Sequence, residues 1–252
     1  MNGEETAKVD RAQGMIGVKG WKKEIVCGIK DGIPIAMGYF AVSFSLGIAM
    51  VSAGLSAVQG MVMSITNVTS AGEFAGISVI AAGGTLAEMA LTQLIINLRY
   101  ALMSMSLSQK LDETMPFWQR FVIAFANTDE IFAVAMHRQR SLTLSYMAGL
   151  QSLPILGWTA GTFLGAAACG LMPVSVSAAM NVMLYGMFIA IVFPVARKSR
   201  SVLGVAALAV LFSCLFRYVP FLQGISAGIA IIFSTVAAAA IGAILAPVKE
   251  EK

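Results

Sequence analysis

Four carboxylates lie inside long apolar stretches of this sequence, Glu73, Glu88, Asp129 and Glu130, and Arg99 is the one clear cation in their company. An ionised side chain at mid-bilayer depth costs at least about 2.5 kcal/mol, so such groups face a cavity, a partner or one another. The chemistry open to them is proton carriage and the holding of a charged solute. Asn67-Val68-Thr69-Ser70-Ala71-Gly72-Glu73 is a string of helix-cap formers ending in a carboxylate, and Asn127-Thr128-Asp129-Glu130 is a faint repeat of it. Each residue also has a purely structural reading. Asp129 and Glu130 suit solvated caps, Arg99 a packing ion pair with Glu73 or Glu88, and Asn97 an interhelical hydrogen bond.

The elements that must position these residues follow from composition. Of 252 residues, 58% are apolar and 12% charged, with a mean hydropathy of +0.81. Soluble domains carry about 25% charged residues, and one buried core would still leave a polar exterior. The apolar exterior therefore faces lipid, and the sequence predicts an all-α polytopic membrane protein of about seven to eight transmembrane helices. Residues 1–30 read as a cytoplasmic tail, disordered to about Gln13, followed by a basic amphipathic interfacial helix from Ile16 to Lys30. Residues 31–247 form a single transmembrane domain, and 248–252 a C-terminal tail.

Spans are expected from Ile33 to Gly54 with Pro34 in the opening turn, Val58 to Ala82, Thr85 to Ser106, Phe117 to Met136, Thr143 to Gly170, Val174 to Val195, Ser201 to Phe216 and Phe221 to Ala246. A straight lipid-facing helix does not choose the residues around Thr69–Glu73 or Asn127–Glu130, so the second and fourth spans are broken or re-entrant there, with Thr69 or Ser70 capping the second half-helix. Glu88 and Arg99 are eleven residues apart, about 16 Å along one helix, too far to pair directly. Thirteen of the seventeen Lys and Arg residues fall on one side of this topology, which puts both termini in the cytoplasm.

Several chemistries are excluded or disfavoured. Cys27, Cys169 and Cys214 are isolated, His137 has no second His or Cys, and no GxSxG, HExxH or Walker loop is present, so neither a metal, a cofactor nor an enzyme is expected. A channel, or a subunit handling another small solute, stays open beside a secondary transporter. An intramembrane enzyme has little to work with.

Three linked motifs, Thr66-Asn67-Val68-Thr69-Ser70-Ala71-Gly72-Glu73-Phe74-Ala75-Gly76, then Asn97-Leu98-Arg99-Tyr100, then Thr128-Asp129-Glu130, resemble those of the AzlC-type branched-chain amino acid permeases. The resemblance runs from about Gly28 to the last span. It implies the large subunit of a bacterial inner-membrane exporter of branched-chain or related amino acids, working with a small AzlD-type membrane subunit; a higher oligomer stays open. The family pattern commonly has Gln where this chain has Glu73. On this basis Asn67, Thr69, Ser70, Gly72, Glu73, Asn97 and Arg99 are expected at the substrate, and Glu73, Glu88, Asp129 and Glu130 are the candidates for proton coupling. Amides freed at the Thr69–Gly72 break would receive the substrate carboxylate, unless Arg99 holds it and Glu73 takes the ammonium. A charged Glu73 beside the break would repel a carboxylate unless it is protonated or turned away.

Overall fold

The computed structural model describes residues 3–112 and 115–246. Glu113 and the C-terminal tail at 248–252 lie outside the described residues. Among those described there is no strand, only helices and one isolated bridge between Leu111 and Leu142. The helices are α1 (Gly3–Ser52), α2 (Ala57–Thr66), α3 (Ser70–Ala81), α4 (Leu86–Ser108), α5 (Phe117–Phe125), α6 (Asp129–His137), α7 (Leu144–Ala168), α8 (Val174–Lys198), α9 (Arg200–Tyr218) and α10 (Ala227–Leu245). Among the described residues, four stretches are long and apolar enough to cross a membrane: Gly20–Ser52, Leu144–Leu171, Arg200–Tyr218 and Ala227–Leu245. The molecule is an all-α polytopic membrane protein, and both expected breaks are present, α2/α3 at Asn67–Thr69 and α5/α6 at Ala126–Thr128.

The N-terminal part differs from expectation. Helix is drawn from Gly3, and α1 runs without a break from the basic segment into the first span. Helix propagation adds a hydrogen bond for each residue fixed, and Ala, Glu and Lys in this stretch are good helix formers. Pro34 consequently lies inside α1 rather than in an opening turn. Having no N–H, it leaves the Lys30 carbonyl without its usual helical donor.

By contact density the chain divides into two units, Met1–Ala41 with Tyr100–Thr159, and Val42–Arg99 with Ala160–Lys252. In the first unit, Leu107, Leu111, Met115, Ile123, Ile131, Leu142, Met147 and Leu150 form the core. Here α1 and α7 touch backbone to backbone: a Cβ at Gly32 would sit 2.6 Å from the Leu150 carbonyl oxygen, and one at Gly157 2.7 Å from that of Ala36. Small residues are what permit such an approach in lipid, where dispersion rather than hydrophobic burial drives helix association. In the second unit, Gly47 of α1 and Gly165 of α7 make the same approach, while α10 packs on α9 and α3. Gly54 (φ +91°) and Gly83 (φ +66°) end α1 and α3 in the left-handed conformation, and their successors Leu55 and Gly84 donate back to Met50 and Val79 at 3.0 and 2.9 Å.

Candidate functional site

The break between α2 and α3 is built from groups that satisfy one another. Thr69 has extended backbone and caps α3: the Gly72 amide donates to its Oγ1 at 3.3 Å, and the Glu73 amide to its carbonyl at 2.9 Å. The Thr69 hydroxyl donates to Asn97 Oδ1 at 3.2 Å, Asn97 Nδ2 donates to Gln93 Oε1 at 3.1 Å, and Gln93 Nε2 donates to the Gly72 carbonyl at 2.7 Å. The four bonds close a ring running one way, from the Gly72 amide through Thr69, Asn97 and Gln93 to the Gly72 carbonyl. Hydrogen bonds in such a chain polarise one another in a low-dielectric surround. Asn67 joins from the side, its Nδ2 donating to Gln93 Oε1 at 3.5 Å.

Gln93 and Asn97 are four residues apart, so both point at α3 from one face of α4. The ring explains Gly72: a Cβ there would lie 2.6 Å from Thr69 Cγ2 and 2.7 Å from Gln93 Oε1. Of the first amides of α3, those of Gly72 and Glu73 are taken. Those of Ser70 and Ala71 carry no partner among the described residues.

Glu73 is turned away from this ring. Its side chain is fully buried, and Oε2 accepts from Ser64 Oγ of α2 at 2.9 Å. Ser64 Oγ is in turn 2.6 Å from Thr162 Oγ1 of α7. Ser64 has one proton; with that proton on Glu73, the short contact requires Thr162 to donate to Ser64. A carboxyl thus sits at the end of two hydroxyls, separate from the amides at the break.

The α5/α6 break is made differently. Thr128 occupies the capping position of α6 but makes no side-chain cap bond. Its Oγ1 is 2.5 Å from Tyr39 Oη of α1, and the same phenol oxygen is 2.6 Å from Glu130 Oε2. Tyr39 packs edge-on against Trp158 with ring centroids 5.3 Å apart. Asn127 Nδ2 donates to Ser104 Oγ at 3.0 Å, and Gln151 of α7 donates to the Ile123 carbonyl near the end of α5 at 2.7 Å. Asp129 and Glu130 occupy the first turn of α6, where carboxylates offset the positive end of the helix dipole.

The structure therefore brings together Asn67, Thr69, Gly72 and Asn97, with Ser70 at the rim, and groups Thr128 and Glu130 around Tyr39. Arg99 is exposed, and two positions from Asn97 its Cα–Cβ direction lies about 200° round α4 from the ring. Glu88 accepts from the Gly228 amide at 2.8 Å and so caps α10, whose own Ser226 makes no side-chain cap bond. Sequence reasoning passed over Ser64, Thr162, Tyr39 and Ser104, isolated polar residues in apolar helices, and gave Gln93 no role. The spacing of Gln93 to Asn97 was the one available signal. Among the described residues, no three of His, Cys, Asp and Glu come together as a metal site.

A family model described as AzlC protein matches residues 34–172, more than half of the chain and the part that carries both breaks. The chain belongs to the AzlC family. It is a membrane protein of a transporter family. This AzlC chain is 29% identical over 188 residues to the "Inner membrane protein YgaZ" of Escherichia coli (strain K12), covering 72% of the chain and 77% of that protein. It is 30% identical over 138 residues to an "Uncharacterized membrane protein" of Archaeoglobus fulgidus, covering 55% of the chain and 59% of that protein. No solved structure matches the AzlC chain.

Proposed function

We propose that this chain is the large subunit of a secondary transporter that exports branched-chain or related amino acids across the bacterial inner membrane, coupled to protons and working with a small AzlD-type membrane subunit. Family membership supports the transporter class, and the α2/α3 break carries the substrate reading. A substrate carboxylate is received by the Ser70 and Ala71 amides, which point from the positive end of α3 and have no other partner among the described residues. The ring of Thr69, Asn97 and Gln93 holds those amides in place, and Asn67 lines the approach.

Protons travel on Glu73 and on Glu130, each of which shares a hydrogen bond with a hydroxyl: Ser64 in one case and Tyr39 in the other. Glu88, which also accepts from the Gly228 amide, and Asp129 are the other two candidates for that role. Glu73 Oε2 accepts from Ser64.

The test is efflux of labelled leucine, valine, isoleucine and methionine from cells expressing the chain with and without its small partner, at two external pH values. Export that needs the partner and follows the proton gradient is expected. Absence of export for all four, with both proteins in the membrane, overturns the cargo.

A further inference from the structure

Within the first unit, α1, α6 and α7 line an open cleft of about 420 Å³. That lies inside the range of roughly 300–1,000 Å³ typical of small-molecule sites. Its wall carries both signs of charge around one aromatic ring, Arg138 over the face and Asp31 at the hydroxyl. The Arg138 guanidinium carbon sits 3.6 Å from the centroid of the Tyr146 ring, and the Tyr146 hydroxyl donates to Asp31 Oδ2 at 2.8 Å. Arg138 Nη2 is paired with Glu24 at 2.5 Å, but Nη1 is buried with no acceptor. A buried guanidinium nitrogen without a partner forgoes a charge-assisted bond, which only an incoming anion or water can supply.

Asp31 is exposed, and its second oxygen, Oδ1, has no partner among the described residues. Val134, the Tyr146 ring and Cys27 add mostly apolar surface. His137 Nδ1 is 2.9 Å from the Ala133 carbonyl, so the proton is on Nδ1 and Nε2 is left to accept.

We propose that this cleft is a second amino-acid site, binding the free zwitterion with its carboxylate on Arg138, its ammonium on Asp31 and its aliphatic side chain against Val134 and Tyr146. The inference rests on the amino-acid export reading but concerns a different site. The cleft lies where the basic residues Lys22, Lys23, Lys30 and Arg140 are exposed, the end assigned to the cytoplasm by that reading, so it is where cargo for export is first collected.

The chain carries its own reporter, since Cys27 is exposed on the cleft wall. With Cys169 and Cys214 replaced by Ser, and the small partner co-expressed, the rate of Cys27 alkylation by a charged maleimide is measured in inside-out membrane vesicles with and without leucine. At ten times Kd about one site in eleven is open, so alkylation slows by roughly tenfold. Leucinamide, lacking the carboxylate, and 4-methylpentanoate, lacking the ammonium, are expected to leave the rate unchanged. Protection by either analogue alone shows a simple cation or anion site and overturns the zwitterion assignment.

Asp31→Asn removes the ammonium partner, and leucine protection is expected to be lost. Protection that persists in this variant comes from a remote conformational change and overturns the proposal. Should Asp31→Asn fail to reach the membrane, the two analogues on the parent protein decide the question alone. Export assayed in parallel separates the two readings. Export without protection sinks the cleft site only, whereas protection without export sinks the transport reading and leaves a binding site.

Discussion

The two interrupted helices start from similar residues, an Asn followed by a Thr at the head of the second half-helix, and they end in opposite arrangements. At α2/α3 the threonine serves its own helix: Thr69 caps Gly72 and passes its proton into a ring that returns to the same residue. At α5/α6 the threonine serves another helix: Thr128 leaves α6 uncapped by its side chain and meets Tyr39 of α1. The acidic first turn explains why α6 tolerates this, since Asp129 and Glu130 already oppose its dipole. In α3 the first turn holds a single carboxylate, Glu73, at its fourth position and bonded to Ser64, and the side-chain cap of Thr69 is kept. A half-helix with two carboxylates at its first two positions is freer to lend its cap to a neighbour.

The largest expected effect is at Gly72. Gly72→Ala drives a Cβ into Thr69 and Gln93 and opens the ring, at about 1–3 kcal/mol and with most export lost. No position from Asn127 to Glu130 is a glycine, so the second break has no equivalent weak point. A Gly72→Ala protein with parental melting temperature and efflux would mean the ring does not hold the break.

Next comes coupling. A double-mutant cycle of Thr69→Val with Asn97→Ala is expected to be non-additive by about 0.5–3 kcal/mol, because the two share a ring. Thr128→Val with Asn127→Ala is expected to be additive, since their partners, Tyr39 and Ser104, are different. Equal coupling at both breaks would erase the distinction drawn between them.

Single caps rank below that. Thr69→Val removes a cap and a link and is expected to cost about 1–2 kcal/mol, whereas Thr128→Val removes a link only, about 1 kcal/mol or less. Thermal melts in one detergent compare the two directly, and the reverse order breaks the comparison. Glu73→Gln should have the smallest effect on stability, because the amide oxygen can still accept from Ser64. Its signature is expected in function: export persists, and its dependence on external pH flattens. An unchanged pH dependence in that variant leaves Glu88, Asp129 and Glu130 as the proton carriers.

Much of this was legible in the chain. Cap-forming residues in the middle of apolar runs located both breaks to within a residue or two, because backbone groups freed in lipid must be satisfied locally and few side chains can do it. Thr69 as the cap and Glu73 in the first turn of α3 followed from the same logic. Which way Glu73 turns did not, since that depends on Ser64 in the preceding half-helix and Thr162 some ninety positions further on. That Glu88 also caps α10 was not legible, because its apolar flanks hide that α10 begins beside it. Pro34 looked like a helix start because the sequence does not display the packing of Gly28 and Gly32 on α7 that accompanies the continuous helix.

The sequence by itself determined the solvent, the helical class and the sites where helices must stop, since these depend on transfer energies and backbone satisfaction that each segment settles alone. Only the tertiary structure decided which polar residues meet. A hydroxyl or amide in an apolar helix can bond to whatever neighbour arrives, and the partner of Thr128 was fixed by where α1 places Tyr39, not by anything adjacent to Thr128 in the chain.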